Sequence, residues 1–208
     1  MGALIQKFHP ALRLGRQLTV AASGKPLLSR QGEWDGGSTL HGAAMALALL
    51  GRLSNPAEVW RCRGGPESRF WNRAWPHYLH GLTLSELTAF IWELNCGVQP
   101  VTTKGNAAVV LRFCTQELAK GWPVIVGWHS RQQAHAVLLV GIEGRQLARR
   151  FAPHAMLLLD PAEAEPGLVG FNARLELGKS KRPTYVTSTA TYPVLIEGTM
   201  SIRLSRPP

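Results

Sequence analysis

The sequence predicts an α+β fold, with helices in its first half and antiparallel strands in its second. Two observations carry this. Between residues 38 and 118 apolar residues recur at spacings of three and four, as in Leu40, Ala43, Ala44, Leu47 and Leu50. From Pro123 onward they come instead in short runs bounded by polar or Gly-containing turns. The switch happens once, without an internal repeat, so helices and strands are segregated rather than alternating. The 208 residues, 45% hydrophobic and 17% charged, suit one domain able to bury a core. We read an N-terminal arm over 1–30, a mainly helical half over 31–121 and an antiparallel-sheet half over 122–208.

Each element has its own signal. The arm is weakly patterned and predicts one short helix or strand. Residues 31–37, QGEWDGG, form a Gly-rich turn. A buried Ala/Leu-rich helix follows over 38–50, with Ser38 or Thr39 near its N-cap and Gly51 as its stop. Asn55-Pro56 starts a short second helix that ends by Gly64-Gly65, and 64–82 read as a loop carrying Phe70, Trp71, Trp75 and Tyr78. Thr83 and Glu86 have capping-box spacing before Leu84, Leu87, Ile91 and Leu94. A strand is expected over 98–103, then a helix capped by Asn106 and stopped by Gly121. Val124–Trp128, His135–Ile142 and Met156–Asp160 read as strands. The tail segments 168–177, 185–189, 192–196 and 200–204 read as shorter strands at the sheet edge.

Charge and cysteine content narrow the function classes. Lys and Arg number 23 against 13 Asp and Glu, a net charge of +10. That balance suits an anionic surface or cell wall as a partner. The basic residues are scattered, without aromatic interleaving, so no specific nucleic-acid recognition is expected. Cys62, Cys96 and Cys114 have no ligand-like spacing and are odd in number, which argues against a zinc site and a disulfide framework. No metal site and no cofactor are predicted. The N-terminal segment is interrupted by Lys7, His9, Arg13 and Arg16, and no apolar run approaches the ~20 residues of a membrane span. The expected location is cytoplasmic, or outside the cell by a signal-peptide-independent secretion system.

Four residues stand in an order that carries chemistry. Gln31 opens the Gly-rich turn, Ser38 heads the buried helix, His135 opens an apolar strand and Asp160 ends the next one. A nucleophile at a helix N-terminus feels the positive end of the helix dipole. A His can take and return its proton while an Asp holds the ring's tautomer. Over 31–51 and 122–161 this pattern resembles the papain-like cysteine peptidase superfamily, especially bacterial proteins related to double-glycine leader peptidases. The resemblance implies a papain-like fold, with the central helix packed on the antiparallel sheet, and hydrolysis of an amide bond through an acyl-enzyme. Position 38 would be the nucleophile, His135 the base, Asp160 its orienter and Gln31 an oxyanion donor.

The sequence departs from that pattern at the decisive place. The resemblance calls for Cys where Ser38 stands, so little or no activity is expected from this chain. Ser38 fits a Cys→Ser replacement, a natural non-catalytic homologue, or a working serine. An alternative alignment places His41-Gly42 at the family's Cys-Gly, but Ser38 keeps the turn compact. His41 then lines the cleft or packs. Trp34 and Trp128 wall the substrate groove or fill the core, His129 is a rival base at the cleft rim, and Asp35 is a turn residue. The expected substrate is a protein or peptide, for a free-standing bacterial protease, effector or toxin. A cell-wall amidase and a non-catalytic peptide-binding module are the alternatives.

Overall fold

The computed structural model describes residues 2–33, 35–131, 133–148, 150–177 and 182–205. Its centre is helix α1 (Ser38–Leu49), in which all twelve residues are buried. That explains its composition. A helix enclosed on every side has no polar face to show, and Ala, Leu, Met and Gly let neighbours approach closely. The N-cap is Gly37, one residue before the predicted Ser38 or Thr39, and no side chain caps the helix.

Nine of the described strands form one antiparallel sheet. Strand β1 (Ala3–Phe8) and the two-residue strands β2 (Leu12–Arg13) and β3 (Thr19–Val20) lie in the arm. β4 (Val98–Thr103), β5 (Val124–His129), β6 (Ala134–Leu147) and β7 (Arg150–Leu159) fall close to their predicted places. β8 (Ala173–Glu176), β9 (Thr184–Thr187), β10 (Thr191–Pro193) and β11 (Leu195–Leu204) follow. The order is β10-β9-β8-β7-β6-β5-β11-β4, with β2 and β3 forming a separate two-stranded sheet. β6 is long enough to pair with β5 through residues 134–139 and with β1 through residues 141–146 along the same edge.

Three expectations need correction. Residues 200–204 belong to a continuous ten-residue strand placed between β5 and β4, not at an edge. The sheet also takes β4 from the helical half and β1 from the arm. Residues 65–74, read as loop, form helix α2 (Gly65–Ala74), followed by a 3-10 turn at Trp75–His77. Pro66 suits its first turn, and Glu67, Phe70 and Ala74 form its buried face. Polar and aromatic residues outnumber aliphatic ones there, which hid the period.

Helix α3 (Leu84–Leu94) has the predicted Thr83/Glu86 capping box and ends at Asn95 in a left-handed conformation, φ 45°. Helix α4 (Ala107–Ala119) is capped by the Asn106 side chain. The sheet separates two apolar layers because side chains alternate along β6. Ala136, Leu138 and Val140 face α1 and α3, while Val137 and Leu139 pack with Val110, Cys114 and Leu118 of α4. No described helix is long and apolar enough to cross a membrane.

Candidate active site

The turn before α1 is held by close backbone approaches that exclude side chains. A Cβ on Gly36 would lie 2.7 Å from the Leu79 carbonyl oxygen, and one on Gly81, where φ is +70°, would strike the Gly36 carbonyl. Asp35 Oδ1 accepts the Gly37 N–H at 2.6 Å. Ser38 therefore enters the first turn of α1, where backbone N–H groups have no intrahelical acceptor. Its Oγ accepts the Ala136 N–H from β6 at 3.2 Å.

His135 lies one residue before that N–H. Its Nε2 is 2.7 Å from Asp160 Oδ1, just past the end of β7. Because a carboxylate only accepts, Nε2 carries the proton and Nδ1 is left for a second partner. Asp160 is 3% exposed. Burial pushes its carboxyl up, but the His135 hydrogen bond and charge, the Tyr185 hydroxyl and the Ala162 N–H outweigh this and hold it below the usual carboxylate range. The Tyr185 hydroxyl donates to Asp160 Oδ2. Asn172 braces the backbone, accepting the Asp160 N–H at 2.7 Å and donating to its carbonyl at 2.9 Å.

Ser38 and His135 border one pocket of about 220 Å³, with Thr39, Gly127 and Glu197 among its other walls. Among the described residues, the ionisable side chains around it are His80, Glu86, His135 and Glu197, with no Lys or Arg. Glu197 sits where the β11 register shifts between Ile196 and Gly198, an irregularity that re-aims a side chain. The pocket of a +10 chain thus carries local negative charge.

The other expected residues fare differently. Gln31 is not among the pocket's walls. Its amide nitrogen donates to the Asp35 carbonyl, and its Oε1 is buried without a partner. The oxyanion donors this geometry offers are the N–H groups at the start of α1 instead. Trp128 is fully buried, packing edge-to-face on His135 rather than walling a groove. Trp34 lies outside the described residues. His129 ends β5 in an exposed position and does not border the pocket. Tyr185 and Asn172 were not anticipated, because their bonds to Asp160 span separations of 25 and 12 residues.

His41 opens onto a different pocket, of about 370 Å³. Its Nε2 is 2.6 Å from Asp35 Oδ2 and its Nδ1 is 2.8 Å from Ser29 Oγ. Asp35 is therefore more than a turn residue. Burial raises its carboxyl, but the His41 contact and the Gly37 N–H bring it below its ordinary value. The three cysteines are unpaired, and none borders either pocket. Among the described residues no three His, Cys, Asp or Glu side chains converge as metal ligands. No protein-family model matches the chain, and no curated protein matches it significantly.

Proposed function

We propose that this chain is a papain-like amide hydrolase in design, acting on peptides through position 38, and that Ser38 leaves it slow or silent. The reading rests on one observation above all. His135, whose Nε2 lies 2.7 Å from Asp160 Oδ1, borders the same pocket as Ser38 at the N-terminus of α1. In the thiol form, His135 Nδ1 takes the proton of the nucleophile, which attacks the amide carbonyl. The N–H groups at the helix start receive the oxyanion, and the imidazolium then protonates the leaving amine. A serine hydroxyl is far less acidic than a thiol, so the same imidazole activates it poorly.

The pocket's charge favours a peptide over an anionic cell-wall polymer. Glu86 and Glu197 stand at its wall and no described Lys or Arg borders it, which suits a substrate carrying Lys or Arg near the scissile bond. The experiment is Ser38→Cys, assayed with Lys-containing and acidic fluorogenic peptides and with muropeptides. Turnover of the Lys-containing peptides that disappears in Ser38→Cys/His135→Ala supports the reading. A folded Ser38→Cys chain that binds peptide without turnover overturns it in favour of a binding module.

A further inference from the structure

The protein contains a continuous Ser29–His41–Asp35 chain of hydrogen bonds, separate from Ser38, His135 and Asp160. Asp35 can only accept, so His41 Nε2 carries the proton in the neutral ring. Nδ1 then offers its lone pair to the Ser29 hydroxyl, across the 2.8 Å contact. That is the polarity an activated serine needs. Tyr78 meets the His41 ring edge-on at 5.3 Å, which helps to fix its orientation. Asp35 Oδ1 is held by the Gly37 N–H, which orients the carboxylate in turn.

Ser29, His41 and Asp35 all border the 370 Å³ pocket. Its far wall is aromatic and aliphatic, with Trp60, Trp71, Tyr78 and Leu79. Trp60 is 56% and Leu79 68% exposed, so apolar surface remains uncovered at the mouth. Arg30 borders the same space and has no ion-pair partner among the described residues. A relay that served only to tie the turn to α1 would need neither an open pocket nor an unpaired cation beside it.

We propose that this pocket is a second acyl-transfer site, in which Ser29 is acylated by carboxylic esters bearing an apolar or aromatic acyl group. Ser29 Oγ bonds to the ester carbonyl carbon while its proton passes to His41 Nδ1. The carbonyl electron pair moves onto oxygen, where Arg30 supplies positive charge. Collapse breaks the bond to the alkoxide, which leaves with the proton from His41. Water repeats the sequence on the acyl-serine, releasing the carboxylic acid and restoring the Ser29 hydroxyl. Esters suit the site because an alkoxide or phenolate leaves more readily than an amine.

The experiment treats the full chain, Ser29→Ala and Ser38→Ala with an alkyl fluorophosphonate and maps adducts by mass spectrometry. Hydrolysis of 4-nitrophenyl butyrate is followed in parallel, and thermal unfolding confirms that each variant is folded. The expected result is an adduct on Ser29 that persists in Ser38→Ala, whether or not Ser38 is labelled in the full chain. Ester hydrolysis should fall at least tenfold in Ser29→Ala and be unchanged in Ser188→Ala, a control at an exposed serine outside both pockets. Absence of an adduct on Ser29, or ester hydrolysis indifferent to Ser29→Ala, overturns the proposal. The outcome at Ser38 does not enter it, so the two sites fail or succeed separately.

Discussion

Trp128 meets His135 edge-on, with ring centroids 5.3 Å apart and planes at 66°. The same indole lies 4.6 Å from the ring of Tyr185, whose hydroxyl holds Asp160. One fully buried side chain thus supports both His135 and the Tyr185 brace of Asp160. Its Nε1 has no hydrogen-bond partner among the described residues. Two effects then oppose each other in Trp128→Phe. Lost volume destabilises, but removing an orphaned donor relieves about 1–3 kcal/mol. We expect Trp128→Phe to remain within about 1 kcal/mol of the parent in urea unfolding, against about 3–5 kcal/mol lost in Trp128→Ala.

Tyr185 stabilises the ionised form of Asp160, and the sign of its pH effect follows. The carboxyl sits below its unfolded value in the folded chain. Its contribution is therefore fully present above about pH 4 and is lost as pH falls through the folded value. Tyr185→Phe removes a hydrogen bond to a charged group, worth about 1.5–3 kcal/mol. Urea unfolding from pH 7 down to pH 2 should show that cost at neutral pH and a progressively smaller one at the acid end. An equal cost at both ends would mean that Tyr185 contributes packing alone.

His9 titrates for a different reason. It is 2% exposed, with Nε2 3.0 Å from the Gly121 carbonyl oxygen and Nδ1 accepting the Ala11 N–H. Burial pushes it down to about 4, against a smaller upward pull from the Gly121 bond. The unfolded chain therefore takes up a proton between about pH 6.5 and 4 that the folded chain refuses. Stability from neutral His9 is complete above about pH 6.5 and falls by up to about 1.4 kcal/mol per pH unit below it. His9→Gln, which keeps a polar side chain without the charge, should flatten the stability profile over that window.

The elements with a strong period were legible in advance. α1, α3 and α4 follow the three-four spacing, α3 and α4 take their predicted caps, and the Thr83–Glu86 box forms as read. What the sequence concealed was partner choice. Nothing local to 195–204 says that its two neighbours are β5 and β4. At the site, Ser38, His135 and Asp160 were legible because each sits at an element's end. Ser29 was not, because it lies outside the named strands and helices and its role comes from a side chain twelve residues away. Gln31 was misplaced for the converse reason, since its Gly-rich turn does not reveal which way the amide faces.

The central position of β11 also bears on the order in which a ribosome delivers the parts. Among the described residues β4 pairs in the sheet only with β11, and Thr103 waits 96 residues for Thr199. Until that late segment emerges, β4 presents an unpaired edge and α3 lacks part of its apolar floor. Such distant pairing slows closure and leaves nascent chains open to chaperone capture and misassembly. Glu197 reaches the Ser38 pocket from this same strand, so that part of the pocket's acidic wall arrives only after Ser38, Glu86 and His135 have been made.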